Sequence, residues 1–174
     1  MTSIVWNGIE SRTQETCEIH VDEGGVHVRS AIRDGGILCS YTLRATHDWI
    51  FTDIAVRVGE RVLDVRRTAD GWKVAGLSRD DLREAHEVDI SASPLSNTLP
   101  IRRLRLAVGE SADITTAYIR VPGLDVMADP QRYTRLSANE YLYESRDSDF
   151  RRTLTVDDEG LVIDYPGLFA RAAQ

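Results

Sequence analysis

Apolar side chains in the first half of this chain recur at every second position. Thr16 to Val21 places Cys17, Ile19 and Val21 on one side. Val26, Val28 and Ile32 share a face opposite His27 and Arg29. Ile37, Cys39, Tyr41, Leu43 and Ala45 face one way, and Ser40, Thr42 and Arg44 the other. A period of two is the mark of half-buried antiparallel strands. Ile4-Val5-Trp6 reads as an edge strand, and Trp49 to Val58 as a strand with Ile50, Ile54, Val56 and Val58 inward. Arg61 to Thr68 and Trp72 to Val74 continue the series. Asp22-Glu23-Gly24-Gly25, Asp34-Gly35-Gly36, Gly59-Glu60 and Ala69-Asp70-Gly71 supply the turns. Their spacing, about 11 residues, predicts an up-and-down meander. Ser78 to Ala85 is polar and suits one helical turn capped by Ser78 or a solvated loop; Val88 to Ser91 is a short strand.

The second half repeats the theme. Thr115, Ala117, Ile119 and Val121 alternate against Thr116, Tyr118 and Arg120, before a Pro122-Gly123 turn. Leu124 to Met127 and Gln131 to Leu136 flank Asp129-Pro130, which is expected to bend the path. Tyr141 to Tyr143 is a short strand, and Phe150, Leu154 and Val156 point inward from the next. Asp157 to Gly160 turns into Leu161-Val162-Ile163; Tyr165-Pro166-Gly167 ends the sheet, leaving Leu168 to Ala173 as a short tail able to turn helical.

One stretch breaks the rhythm, Asp89 to Leu106. Ser93-Pro94 is a cap residue followed by proline, the usual start of a helical turn. Ser96, Asn97 and Thr98 can bond neighbouring backbone. Pro100 lacks an N–H and biases Leu99 towards extended conformations, so no strand passes straight through. Arg102, Arg103 and Arg105 then stand among Ile101, Leu104 and Leu106. The pattern predicts a mainly β chain with at least ten short strands and at most one substantial helix, in one domain over residues 1–174. Open sheets rarely exceed ~10 strands without curling, so the sheet must curl, and the central stretch should lie across or inside it.

Composition narrows the function. The chain has 174 residues, and its net charge of −7 argues against nucleic acid as a partner, which calls for a basic face. Lys73 is the only lysine among 21 basic side chains. Cys17 and Cys39 read as buried free thiols. His20, His27, His47 and His86 are scattered and predict no metal site, and nothing calls for a cofactor. Neither a signal peptide nor a membrane span is visible, which points to the cytoplasm. Glu10, His47 and Asp48 could be imagined as an acid/base set, yet nothing in the sequence brings them together, and Ser93 and Ser96 lack a nearby base. No catalytic residue is assigned.

Binding chemistry is better represented. If Ile101, Leu104 and Leu106 anchor the central stretch, its three guanidiniums must reach solvent, carboxylates such as Asp89, Asp157 or Asp164, or a bound anionic group. Asn97 and Thr98 are the neutral hydrogen-bonding neighbours. Trp6, Trp49, Trp72, Tyr41 and Tyr133 suit a core more readily than a pocket wall. A curled sheet with an apolar inner face can hold an acyl chain.

Asp89-Ile90-Ser91 followed by Ser93-Pro94-Leu95-Ser96-Asn97-Thr98-Leu99-Pro100-Ile101-Arg102-Arg103-Leu104 resembles the signature of the bacterial putative glycolipid-binding family. Tyr41, Asp48-Trp49, Gln131-Arg132-Tyr133, Tyr141-Leu142-Tyr143, Phe150 to Asp157 and Gly160 to Pro166 extend the resemblance over nearly the whole chain. It departs where the family usually has Thr-Pro-Phe-Thr and this chain has Ser93-Pro94-Leu95-Ser96, which keeps the cap chemistry. The resemblance implies a spiral β-roll, a long antiparallel sheet wrapped around one helix, assembled as a homodimer and similar to periplasmic lipoprotein carriers. It implies a glycolipid or other amphiphile held between sheet and helix. On the reading of the residues themselves, Asn97, Thr98, Arg102, Arg103, Tyr133 and Trp49 are the expected ligand-binding residues. The alternative is a structural or protein-interaction roll with a filled interior; a less favoured one is an enzyme acting on a lipid or sugar.

Overall fold

The computed structural model describes residues 1–173 apart from the side chain of Ile37, so the face predicted for that side chain lies outside the described residues. Alternation produces fifteen strands in one sheet. The first half contributes β1 (Thr2–Gly8), β2 (Gln14–Asp22), β3 (Gly25–Asp34), β4 (Gly36–Ala45), β5 (Phe51–Val58), β6 (Arg61–Thr68), β7 (Gly71–Val74), β8 (Leu77–Ser78) and β9 (Ala85–Ile90). The second half contributes β10 (Ser111–Arg120), β11 (Asp125–Arg135), β12 (Glu140–Ser145), β13 (Arg151–Val156), β14 (Val162–Tyr165) and β15 (Phe169–Arg171). The order across the sheet is β8-β7-β6-β5-β4-β3-β2-β1-β15-β14-β13-β12-β11-β10-β9. The chain ends therefore meet in the middle, and each half zigzags outward.

Every neighbouring pair is antiparallel except β9 with β10. A parallel pair cannot be joined by a hairpin and needs a crossover of a dozen or more residues, usually helical. The central stretch is that crossover: a 3-10 turn at Pro94–Asn97 runs into α1 (Thr98–Leu104). Ser93 caps it as expected, its Oγ accepting from Leu95 N at 3.2 Å. Pro100 does not exclude Leu99 from the helix; it stands in the first turn, where a missing N–H costs no helical bond. Arg105, in the left-handed region at φ 49°, ends α1.

The crossover joins two cores. Leu95 and Leu99 pack with Ile4, Trp6, Val28, Leu43, Ile54 and Val88. Ile101 and Leu106 pack with a tyrosine-rich group of Tyr133, Tyr141, Tyr143, Leu154 and Tyr165. Trp6 Nε1 donates to Val162 O at 2.8 Å between the halves. At the far side β9 lies against β5, and Trp72 Nε1 donates to Ala85 O at 3.1 Å, so the open sheet rolls up.

Several local expectations are corrected. Ile50 is 39% exposed, and Phe51, 1% exposed, takes the inward place. The cause is the left-handed Trp49 (φ 61°) and a register slip between Arg44 and Ala45, which bring Phe51 inward while Ile54 and Val56 keep their expected inward places. Val21 is exposed at the tip of its hairpin. A slip between Thr115 and Thr116 buries Thr116 instead of Thr115. Asp129-Pro130 does not interrupt β11: Pro130 turns its carbonyl, and so its nitrogen, towards the end of β12, where Arg146 N donates to it at 2.9 Å. No bond to β10 is lost. Ser78 caps nothing; the turn forms at Asp80–Leu82 after Arg79 and buries Leu82. The tail is a strand, β15, because β1 offers it a free edge.

Candidate functional site

The crossover is held by polar side chains at every turn. Ser93 Oγ donates to Glu15 Oε1 at 2.8 Å, and Ser30 Oγ and Tyr41 OH donate to the same oxygen at 2.6 and 2.7 Å. Glu15 is buried, and burial pushes its carboxyl above the ordinary range despite these bonds. Ser96 Oγ donates to Asp89 Oδ1 at 2.7 Å. Tyr133 OH donates to Asn97 Oδ1 at 2.8 Å, and Thr98 Oγ1 to Gly160 O at 3.0 Å.

The arginines find carboxylates, though not those named from the sequence. Arg103 clamps the fully buried Glu87 with two bonds, 2.6 and 2.9 Å. Arg102 donates to Glu159 O at 3.0 Å and lies over the Trp49 ring, 5.4 Å from its centroid. Arg105 pairs with Asp48. Asp157 is taken by Arg171, and Asp89 by Ser96 and Gln131. Strand alternation identifies an acid's face but not which distant arginine folds over it.

Leu95, Thr98 and Leu99 are fully buried beneath the crossover, so the space between helix and sheet is packed by side chains. Room for a ligand lies instead at the two ends of the segment. At the end of α1, a 470 Å³ cavity is lined by Trp49, Ile101 and Tyr141, by Arg102, Arg105 and Arg135, and by Asp48, Asp157 and Asp158. At its start, a 410 Å³ cavity is lined by Asn97, by Asp89, Asp129 and Asp147, and by Tyr118, Tyr143, Phe150, Tyr165 and Phe169. A neighbouring 420 Å³ cavity shares Ser91, Leu168 and Phe169 with it and is otherwise lined by Leu38, Ala92, Val121, Glu10, Ser11 and Thr13. Two grooves of 560 and 590 Å³ on the outward face of β2–β6 include none of the six expected residues.

The six expected ligand residues are thus divided. Trp49 and Arg102 meet at the end of α1 and Asn97 stands at its start, whereas Thr98, Arg103 and Tyr133 line neither cavity. The sequence reading passed over Asp129, Tyr143 and Tyr165. Tyr141-Leu142-Tyr143 showed alternation, but that pattern alone does not separate a core tyrosine from one bordering a cavity.

The start cavity combines ring faces with oxygen acceptors. Gln131 Nε2 donates to Asp89 Oδ2 and Asp129 Oδ2, both at 2.7 Å. Burial raises the carboxyls of Asp89 and Asp129, and Asp89 raises Asp129 further. Burial also raises the phenols of Tyr143 and Tyr165, so they remain neutral hydroxyls. Rings can pack on the C–H face of a sugar, and neutral or charged oxygens can accept from its hydroxyls. Cys17 and Cys39 are free and buried; burial pushes the Cys39 thiol up to about 11.

Among the described residues no group of His, Cys, Asp or Glu could hold a metal, and no helix is long and apolar enough to cross a membrane. A family model described as putative glycolipid-binding matches residues 3–171. The crystal structure of a DUF1089 family protein (PA1994) from Pseudomonas aeruginosa is similar, with 35% identity and a TM-score of 0.76 over 91% of this chain and 92% of that one. A comparison with curated proteins finds no match.

Proposed function

Because the chain belongs to the putative glycolipid-binding family, we propose that it binds a sugar-bearing amphiphile at the start of the crossover. The headgroup enters the 410 Å³ cavity, and the apolar tail lies in the adjoining 420 Å³ groove. The observation that carries this reading is the shared border of Ser91, Leu168 and Phe169: an aromatic, carboxylate-lined space continues into one edged by Leu38, Ala92 and Val121. That is the polarity sequence of an amphiphile. In this reading the arginines of the segment are clamps, since each has a partner within the chain.

Titration with dodecyl glucoside below its micelle concentration, followed by native mass spectrometry, tests the proposal. Saturable uptake of one molecule per chain is expected. Ala92→Trp, which fills the tail groove, should abolish uptake while leaving Tm close to that of the unaltered chain. A chain that takes up no detergent, or an Ala92→Trp variant that binds it normally, refutes the reading.

A further inference from the structure

The headgroup cavity has an unbalanced charge. Asp89, Asp129 and Asp147 line it, and neither arginine nor lysine does. The Asp89 and Asp129 carboxylates share the amide of Gln131, a neutral donor with two N–H groups that also lies 3.2 Å from Thr116 Oγ1. Asp129 Oδ1 has no hydrogen-bond partner among the described residues. Tyr143 and Tyr165, 7% and 6% exposed, turn onto the same cavity, and their hydroxyls have no partner among the described residues either. Two carboxylates joined through one neutral amide repel each other, and no cation stands in the cavity lining beside them; Arg152 lies over the Phe150 ring, 4.7 Å from its centroid.

We propose that the headgroup carries a protonated amine, as an aminosugar does, held by Asp129 and Asp147 and faced by the rings of Tyr143 and Tyr165. This rests on the amphiphile reading above and names the class of headgroup. An ammonium N–H supplies the donor that Asp129 Oδ1 lacks, its charge offsets the carboxylates, and the ring faces attract it. The tyrosine hydroxyls remain for the sugar's own hydroxyls. An anionic headgroup meets three carboxylates and no guanidinium, so it is excluded.

Three dodecyl glycosides of equal tail, bearing glucosamine, glucose or glucuronate, make the test. The glucosaminide should bind about tenfold more tightly than the glucoside, and the glucuronide more weakly than either. Asp129→Asn should remove the preference, read as the ratio of glucosaminide to glucoside affinity falling to about one. Asp147→Asn, a change at an exposed residue, should reduce the preference in part and serves if Asp129→Asn does not fold. Equal affinity for glucosaminide and glucoside, or a preference that survives both substitutions, overturns this inference alone. If none of the three binds, the amphiphile reading falls with it.

Discussion

The two ends of the crossover differ in how their charges are matched. At the end of α1, Trp49 and Tyr141 stand beside Arg102, Arg105 and Arg135 together with Asp48, Asp157 and Asp158; at the start, tyrosines and Phe150 stand beside Asp89, Asp129 and Asp147 with no arginine or lysine in the lining. The arginine-bearing, or basic, end is already satisfied. Arg102 and Arg105 pair with Glu159 and Asp48, and Arg135 donates to the carbonyls of Leu106, Ser137 and Ala138. The acidic end is not, because Asp89 and Asp129 share one amide, Asp147 accepts only from Ser145 Oγ among the described residues, and none of the three meets a lining cation. A charge with its partner in place holds the fold together, and a charge without one is available to a ligand. Counting arginines points to the end whose charges are already matched.

Removing the clamp between the two ends should have the largest effect. Arg103→Ala leaves Glu87 buried and unpaired, and such losses cost about 3–5 kcal/mol. Urea unfolding measures it, and a loss below about 1 kcal/mol would mean the segment is held elsewhere. Next comes the cap at the acidic end. Ser93→Ala removes the acceptor for Leu95 N and a donor to Glu15, for an expected loss of about 1–2 kcal/mol.

The pH response of that cap should be smaller. Burial holds the Glu15 carboxyl above its usual value, so the folded chain keeps a proton that the unfolded chain releases. The contribution is complete below the unfolded value of about 4.3 and is lost as pH rises through the folded one. Glu15→Gln cannot titrate, so its unfolding free energy should fall less steeply with pH across that window. Parallel curves for the two proteins would remove Glu15 as the group responsible. The smallest effect belongs to the basic end. Arg105→Ala breaks an exposed pair worth less than about 1 kcal/mol, and dodecyl glucoside uptake should not change. Loss of uptake would place the ligand at the basic end and reverse the comparison.

Much of this architecture could be read along the chain. Cys39, Tyr41, Leu43 and Ala45 point inward as their spacing predicts, and Ser93-Pro94 opens the helical turn. Both follow from local rules: a strand presents alternate residues to one face, and a cap needs an oxygen two or three positions before its donor. The misreadings arose where a distant strand intervened. Leu168 to Ala173 contains a strand because β1 lies beside it, and Phe51 rather than Ile50 enters the core because Trp49 turns left-handed at the bulge.

The sequence by itself determined most of the strands and their inward faces, the hairpin turns and the start of the crossover, since each depends on residues a few places apart. Only the tertiary structure decided that Arg103 meets Glu87, that Glu15 receives the cap serine, and that Asp129 stands beside Asp89 without a cation. Those meetings depend on how far the sheet rolls and on the register of strands distant along the chain, which alternation does not encode.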